Sequence, residues 1–281
     1  MVYEETPERM LELVDAKVDS QLTRAMRYVE VVDARAVVPC AGPPAFLDED
    51  LFQFNVIRGD ELSIFPDQRV FLDRLAASGH RGVMNMPGTC IELDGTDVRI
   101  THPVPEEQLR SIFEHKEQYL RQYQADWREW LTALRSQWIA PRADLLDRLK
   151  AWWEPLMLIA PTLRAGIGAG VLLRTGDLDV YLDMPAGEVR AWDGEPYRYR
   201  FEIPREIVET VAAEEAVDWS NALFLSCRFR AWREGPYNEY VYNFFKSLSV
   251  ERMRRAEAEA ARKLDPASSD EEIVLCGYRL D

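Results

Sequence analysis

The residues in this chain that could do chemistry are few and stand apart from one another. Cys40 follows an apolar run and lies in a Pro- and Gly-rich loop, a setting in which enzymes often hold a reactive or ligand-facing group. The acidic run 48–50 could supply oxygen ligands to a metal, but the first turn of a helix explains it equally well. Asp67 follows Pro66 at the start of a predicted helix, where the helix dipole accounts for a carboxylate. A packing role is the simpler interpretation of Cys40, since no histidine is near it in the sequence.

The three histidines, His80, His102 and His115, do not form a metal-binding motif. No two of them share ligand spacing, and neither HxHxDH nor HExxH occurs. We interpret them as surface or capping groups, with metal ligation as the alternative. Serine catalysis has little support because GxSxG is absent. Cys227 falls within a predicted strand and is interpreted as a small core residue.

Two further patterns have structural and functional interpretations. The glycines of 166–170 resemble a phosphate-binding loop only superficially, because the third glycine is missing and a strand follows; we interpret them as a flexible hinge. Aromatic residues crowd the segment from Trp219 to Phe245. They indicate a domain core, and an apolar pocket or a partner interface are the alternatives.

Composition excludes several classes of partner. The chain has 281 residues and a net charge of −15, whereas nucleic-acid-binding proteins concentrate Lys and Arg. The sequence has no run of about 18 apolar residues, so we expect no membrane-spanning helix. Its four cysteines, Cys40, Cys90, Cys227 and Cys276, lie far apart, which suits free thiols in a reducing compartment. The sequence therefore predicts a cytoplasmic protein without nucleic-acid or membrane partners.

The periodicity of apolar residues predicts a helical and a mixed region, with a domain boundary near 103–106. Helices are predicted over 8–30, 66–77, 106–138, 145–159, 204–213 and 238–262. Strands are predicted over 35–39, 83–86, 90–93, 98–100, 169–174, 178–183, 188–192, 197–203 and 223–232. The strands 188–192 and 197–203 are expected to form a hairpin around Asp193 and Gly194.

Several of these segments resemble a known family. Residues 38–48, 64–68 and 86–88 resemble the C-terminal half of a metallo-β-lactamase-fold domain, in the variant found in Rieske-associated proteins related to CMP-N-acetylneuraminate hydroxylase. Residues 218–229 and 235–240 resemble the sterol-carrier-like domain that follows it. The resemblance covers nearly the whole chain.

That resemblance implies a fold class of α/β plus α+β. Residues 1–104 would form half of an αββα metallo-β-lactamase-like sandwich. Residues 105–267 would form a helical connector and the sterol-carrier-like α+β domain. Residues 268–281 would form a linker and the start of a missing Rieske-like module.

The resemblance also implies a function, as part or subunit of a Rieske/metallo-β-lactamase-type iron oxygenase that hydroxylates a small molecule. No catalytic residue can be assigned. The implied substrate-binding wall consists of Cys40, Gly42, Pro43, Asp48 and Asp67. The HxHxDH motif is absent, and so are the two Cys–His pairs that a Rieske cluster needs. Iron and a [2Fe–2S] cluster are therefore expected in the complete assembly and not on this chain alone.

The partners follow from the same expectation. Half of a sandwich would leave one sheet face bare, beyond the apolar area that a monomer tolerates. We therefore expect an oligomer in which residues 1–104 pair with the missing half, a Rieske module, another subunit or a second copy. Two alternatives remain: a free-standing protein whose aromatic-rich C-terminal domain binds a small apolar ligand, and a metal-dependent hydrolase that uses His80, His102 and acidic residues.

Overall fold

The chain forms two compact units, seen in a computed structural model that describes residues 3–40, 42–57 and 63–264. The first unit runs from Glu5 to Ser136, and the second runs from Gln137 onward and includes residues 3 and 4. This division lies after the predicted boundary at 103–106. The domain assignments 1–104 and 105–267 stay predictions. The predicted linker and Rieske start at 268–281, with Cys276, lie outside the described residues.

The first unit is mainly helical. Its elements are the helices α1 (Pro7–Val32), α2 (Gln68–Ala77), α3 (Glu106–Glu114) and α4 (Lys116–Arg135), a 3₁₀ segment (Glu49–Phe54), and the strands β1 (Cys90–Asp94) and β2 (Asp97–Thr101). The Thr6 hydroxyl accepts a hydrogen bond from the Arg9 N–H and so caps α1, as N-cap residues commonly do. Two predicted helices and the β1–β2 hairpin are confirmed within a few residues.

Three predictions for this unit need correction. The expected strands 35–39 and 83–86 reduce to one parallel bridge between Val37 and Gly82, and Pro39 has no N–H with which to extend it. The single helix expected over 106–138 is broken at His115. The β1–β2 hairpin is the only sheet in the described part of this unit. The half-sandwich is therefore not confirmed.

The second unit is a five-stranded sheet packed with helices. Its strands are β3 (Gly170–Arg174), β4 (Asp179–Asp183), β5 (Glu188–Ala191), β6 (Tyr199–Glu202) and β7 (Arg230–Arg233). Its helices are α5 (Leu145–Leu158), α6 (Pro161–Ile167), α7 (Arg205–Ala213), α8 (Trp219–Ala222), α9 (Tyr240–Phe245) and α10 (Val250–Leu264). The strand order is β5-β4-β3-β6-β7, in which only the β3–β6 pair is parallel.

The hairpin predicted between 188–192 and 197–203, which correspond to β5 and β6, is wrong. Gly194 does turn the chain, with a φ of 89°, but β6 then pairs with β3 and β7 instead of β5. The parallel register places Tyr199 beside Val171 and Phe201 beside Leu173. All four side chains are buried on one sheet face. Burial of Tyr199 and Phe201 favours the interior position of β6 next to β3. At an edge position beside β5, much of these two side chains would be exposed.

Aromatic side chains fill the core of the second unit. Trp153, Trp219 and Phe245 lie with ring centroids 5.2–5.8 Å apart, and each is almost fully buried. Phe224 stacks on Phe201 at 5.7 Å. Aromatic pairs at these distances add to the free energy of apolar burial. The core interpretation of the aromatic segment is therefore confirmed for these residues, whereas Tyr237 is 54% exposed.

Two glutamates join helices to backbone groups elsewhere in this unit. The Glu257 carboxylate on α10 accepts hydrogen bonds from the N–H groups of Thr162 and Leu163 at 2.7 and 3.0 Å, which caps the start of α6. Glu154 on α5 accepts one from the Val189 N–H at 2.9 Å. Each carboxylate satisfies donors that a helix start or a strand edge leaves open.

A fully buried carboxylate, Glu209 on α7, connects three segments. It accepts hydrogen bonds from the Arg205 Nε at 3.0 Å, from the Arg142 N–H at 2.9 Å and from the Arg148 Nη2 on α5. Arg205 also donates to the Arg142 carbonyl at 2.6 Å. Burial raises the pKa of Glu209, but these hydrogen bonds outweigh it and the pKa is lowered below 4.5. The network fixes α7 against α5 and the segment that precedes α5.

Replacement of this carboxylate tests the network. Glu209→Gln leaves the two guanidinium groups without their shared anion, and we expect a loss of about 3 to 5 kcal/mol in the free energy of unfolding. Urea denaturation measures it, with Glu206→Gln, an exposed carboxylate on the same helix, as the control. Because the folded-state pKa is depressed, the stabilisation is complete above the unfolded-state pKa of about 4.3 and is lost as the pH falls through the folded-state value. A difference between Glu209→Gln and wild type that is small, or that does not shrink as the pH falls below the unfolded-state pKa, would contradict the account.

Candidate functional site

A cavity of about 490 Å³ lies in the second unit, between the outer face of α5, the end of α7 and the start of α10. Its lining residues are Arg148, Ala151, Trp152, Pro155, Leu156, Ala212, Glu215, Val217, Leu248, Ser249 and Val250. The α5 residues follow the spacing of one helix face. This volume falls in the range of small-molecule sites in proteins.

The wall of the cavity is apolar and its largest side chain is held in place. The Trp152 Nε1 donates a hydrogen bond to the Leu248 carbonyl at 3.0 Å, so the indole has its polar atom satisfied and turns its apolar surface to the cavity. Leu156 and Leu248 are buried, and Val217 is half-buried. A wall of this kind suits an aliphatic or aromatic ligand body.

Arg148 supplies the polar end of the cavity. Its Nη2 is bonded to Glu209 and its Nε to the Asp144 carboxylate at 3.2 Å. Its Nη1 is buried and has no hydrogen-bond partner among the described residues. A buried N–H without an acceptor costs free energy of about 1 to 3 kcal/mol.

The start of α10 adds donors at the same cavity. Ser249 precedes the helix, and its hydroxyl accepts a hydrogen bond from the Arg252 N–H at 3.4 Å. The N–H groups of the first helical turn have no acceptor within their own helix. Ser249 and Val250 both line the cavity. The polar lining residues are Arg148, Glu215 and Ser249.

The structure does not gather the predicted substrate-binding residues into one site. Cys40 and Gly42 are exposed and Pro43 is half-exposed. Asp48 is buried and pairs with the Arg135 Nη2 at 2.5 Å, at the end of α4. Asp67 pairs with the Lys116 Nζ, at the opposite end of α4. With a rise of about 1.5 Å per residue, the 20-residue α4 is about 30 Å long, which separates the partners of the two carboxylates.

Asp67 has the contacts of a structural residue. Its carboxylate accepts a hydrogen bond from the Arg69 N–H at 3.0 Å, which caps α2, and another from the Lys116 Nζ at 2.9 Å. Its side chain is only 3% exposed. Burial raises the pKa of Asp67, but these donors outweigh it and the pKa is lowered. The carboxylate therefore stays charged while its oxygens are already occupied.

The donor set needed by a Rieske cluster is not gathered in the described part of the chain. Such a cluster takes two Cys and two His ligands. Cys40, Cys90 and Cys227 are free and exposed, and the His102 Nδ1 lies 3.0 Å from the Thr89 Oγ1. No group of three or more His, Cys, Asp or Glu side chains among the described residues could hold a metal ion. These residues do not fit an iron–sulfur cluster.

Cys227 corrects one further prediction. It was expected in a buried strand, but the strand β7 begins only at Arg230, and Cys227 follows a 3₁₀ turn with a φ of 57°. Its backbone adopts the left-handed conformation that non-glycine residues rarely adopt, and its thiol is exposed. Residue type alone suggested burial, whereas the local backbone places the side chain outside.

The second unit is an SCP2-like domain. Residues 145–262 match the family model described as "Rv3818-like, SCP2-like domain". This range contains all five strands of the sheet and every residue that lines the cavity. The sterol-carrier-like part of the expected fold is thus confirmed, and it coincides with the candidate site.

The whole chain is homologous to proteins named for an iron–sulfur cluster. It is 40% identical to the "Putative Rieske 2Fe-2S iron-sulfur protein Rv3818" of Mycobacterium tuberculosis strain H37Rv, over 100% of this chain and 55% of that protein. A similarly named protein of Mycolicibacterium smegmatis is 42% identical over 92% of this chain and 51% of its own length. The chain spans about half the length of the curated relatives it matches.

Other comparisons are negative. No solved structure matches the chain significantly. Within residues 3–40, 42–57 and 63–264, no helix is long and apolar enough to cross a membrane.

Sequence reasoning missed the residues that line the cavity. It assigned 145–159 as an apolar helix without separating its two faces. The adjacent Trp152 and Trp153 contain the missing signal, because neighbouring residues on a helix point about 100° apart. Trp153 fills the core while Trp152 lines the cavity. An apolar residue on the outer face of a core helix is thus a sign of a second apolar contact.

The assignment of Asp67 to structure can be tested directly. We expect Asp67→Ala to lower the free energy of unfolding by about 1 to 3 kcal/mol, because it removes a helix cap and a buried partner of Lys116. Thermal or urea denaturation measures the loss. The control is Asp73→Ala, which removes an exposed carboxylate from the same helix. Equal stability of the two variants would show that the Asp67 contacts are not structural.

Proposed function

We propose that the chain is the ligand-binding part of an iron–sulfur protein and that its SCP2-like unit binds a small apolar molecule in the 490 Å³ cavity. The observation that carries the proposal is the cavity itself, with an apolar wall around Trp152 and an unsatisfied donor on Arg148. The names of the homologous proteins support the iron–sulfur context.

The apolar wall supplies the affinity in this proposal. A ligand that buried about 200 Å² of apolar surface against the wall would gain about 5 kcal/mol at ~25 cal/mol per Å². About 5 kcal/mol corresponds to a dissociation constant of about 0.2 mM. Because the loss of translational freedom opposes that gain, we expect the apolar wall alone to give binding no tighter than about 0.1 mM. The ring of Trp152 provides a broad contact surface at low cost in conformational entropy.

The polar end supplies the selectivity. The Arg148 guanidinium and the N–H groups at the start of α10 are donors, and the lining also includes the Ser249 hydroxyl and the Glu215 carboxylate. A ligand with a terminal acceptor oxygen could accept a hydrogen bond from such donors, whereas an ammonium group carries no acceptor. Glu215 lies at the exposed rim, where solvent screens its charge. We therefore expect an aliphatic or aromatic body with an acceptor at one end.

Blocking the cavity tests the proposal. The substitution Ala151→Trp adds an indole to the cavity wall without removing any side-chain contact, and we expect it to weaken binding of the neutral fluorescent probe N-phenyl-1-naphthylamine at least tenfold. The matched control is Ala258→Trp, at an exposed position of α10 outside the lining. Titration of probe fluorescence measures both dissociation constants. The proposal also predicts that decanoate displaces the probe more strongly than decylamine.

Two results would contradict the proposal. In the first, wild type fails to bind the probe. In the second, Ala151→Trp binds the probe as tightly as Ala258→Trp does, which would place the probe elsewhere. Circular dichroism of each variant shows whether the fold is retained.

We further propose that the complete assembly is an iron-dependent oxygenase that hydroxylates the bound molecule. Support comes from the Rieske names of the homologous proteins and from the resemblance of residues 38–48 to a Rieske-associated metallo-β-lactamase fold. The described residues do not provide the cluster ligands, so this proposal assigns iron and the [2Fe–2S] cluster to residues or chains elsewhere in the assembly. The relation to CMP-N-acetylneuraminate hydroxylase stays a prediction, and so does the substrate wall at Cys40, Gly42, Pro43, Asp48 and Asp67.

Metal analysis checks the assignment of the cluster. We expect the purified chain, expressed with added iron, to contain less than about 0.1 iron and acid-labile sulfide per chain, because the described residues gather no donor set. Zinc is measured in the same samples as a control for adventitious binding. Stoichiometric iron with acid-labile sulfide would contradict the assignment, and stoichiometric zinc would favour the metal-dependent hydrolase that sequence analysis left open.

Two further proposals concern the location of the protein and its partners. We propose a cytoplasmic location, supported by three free thiols. We also propose that residues 1–104 have a partner such as a Rieske module or another subunit, supported by the length of the homologous proteins, about twice that of this chain.

A further inference from the structure

The β1–β2 hairpin of the first unit is a sheet of two strands among the described residues. Such a hairpin is only marginally stable in water unless a further strand or a helix covers its apolar face. Two arginine side chains hold it. The Arg35 Nη1 donates a hydrogen bond to the Gly95 carbonyl in the turn at 2.8 Å, and the Arg81 Nη2 donates one to the Val98 carbonyl on β2 at 3.5 Å. Neither contact covers the outer edge of β1.

The outer edge of β1 offers backbone groups for pairing. Asp94 and Asp97 flank a loop of two residues and form the pair next to it, which is hydrogen-bonded in hairpins of this type. Hydrogen-bonded and non-hydrogen-bonded pairs alternate along an antiparallel ladder, so the N–H and C=O groups of Ile91 and Leu93 point away from β2. Within the described ranges, no strand lies on that side. An edge of this kind is a template for another strand.

The same two residues carry the uncovered part of an apolar face. Side chains at alternate positions lie on one face of a strand, which places Ile91 and Leu93 beside their register partners Ile100 and Val98. Leu93 is 77% exposed and Ile91 is 38% exposed, whereas Val98 and Ile100 are half-buried. The exposed apolar surface therefore lies on the β1 side of the hairpin, next to the open edge.

The opposite face of the hairpin is acidic, with Glu92, Asp94 and Asp97 against a single cation, Arg99. Arg99 pairs with Glu92 at 3.3 Å, but Asp94 lies directly opposite Asp97, where like charges repel. A strand added beside β1 would place alternate side chains next to Glu92 and Asp94. A second copy joined through the same edge would bring further carboxylates there, whereas lysine or arginine would be attracted.

From the open edge, the apolar face and the acidic face together, we infer that β1 binds an extended segment of a protein partner in which apolar residues alternate with lysine or arginine. The backbone of the segment pairs with Ile91 and Leu93, and its apolar side chains cover theirs. Its cations face Glu92 and Asp94. This inference names a docking surface for the partner proposed above for residues 1–104, and it rests on that proposal.

A peptide with this alternation tests the edge. A labelled heptapeptide in which lysine alternates with valine is titrated onto the full chain by fluorescence anisotropy, beside one in which glutamate replaces lysine. We expect the lysine peptide to bind and the glutamate peptide to bind at least tenfold more weakly. Methylation of every backbone nitrogen of the lysine peptide should also weaken binding at least tenfold, because a methylated nitrogen cannot donate a hydrogen bond. A lysine peptide that fails to bind, or that binds no better than either of the other two, would overturn the inference.

A matched pair of variants locates the contact. Leu93→Lys adds a cation to the exposed apolar face, and we expect at least tenfold weaker binding of the lysine peptide. Leu11→Lys makes the same change at an exposed position of α1 and should leave binding unchanged. In wild type, hydrogen exchange followed by NMR should be at least tenfold slower at the amides of Ile91 and Leu93 when the peptide is bound. Equal binding to the two variants, or no slowing at these amides, would overturn the site.

Light scattering tests a second copy as the occupant. We expect wild type and Leu93→Lys to have the same mass in solution. A dimer of wild type that Leu93→Lys dissociates would overturn the basic segment as the occupant and assign the edge to a second copy. None of these measurements needs a Rieske module or a ligand in the cavity. Their failure would therefore remove this edge as the docking surface and leave the partner of residues 1–104 to another surface.

Discussion

The second unit depends on a charge that is removed from water. Glu209 is buried, and its cost of desolvation is offset only because two guanidinium groups and a backbone N–H converge on it. The partners come from α5, from α7 and from the chain before α5. The network therefore holds α7 in position against α5. Arg148 belongs to α5 and Ala212 belongs to α7, so each side of this contact contributes a residue to the lining of the cavity.

The same network explains why the cavity has a polar end. Arg148 uses Nε and Nη2 to hold Asp144 and Glu209, and Nη1 is buried without an acceptor in the part of the chain that the structure describes. A flexible guanidinium would turn toward water, but one fixed by two carboxylates cannot do so freely. In the proposed function, this ion pair also holds Arg148 in place beside the ligand. The cavity wall opposite the network is apolar, so the site combines one fixed polar contact with a larger apolar surface.

Sequence reasoning located the elements of the chain better than it located their partners. The sequence from Tyr197 to Ile203 alternates apolar and charged residues and correctly predicted a half-buried strand, but alternation does not specify which strand lies next to it. Glu257 lies among charged residues of α10, yet its carboxylate caps α6, a contact that the local charge pattern does not indicate. Cys227 was assigned to the core by residue type, and a local turn exposes it. A contact between residues distant in sequence decided the outcome for the strand and for Glu257, whereas the local backbone decided it for Cys227.

The site shows the same limit. The family resemblance implied a substrate-binding role for Asp48 and Asp67, yet each pairs with a cation more than 45 residues away, which the sequence does not indicate. The most direct test of a ligand site in the cavity is an NMR titration that follows the methyl signals of the second unit as N-phenyl-1-naphthylamine is added. The account predicts shifts for the methyl groups of Leu156, Val217, Leu248 and Val250, and none for Val180 on the sheet. Shifts spread across the sheet, or no shifts at all, would contradict it.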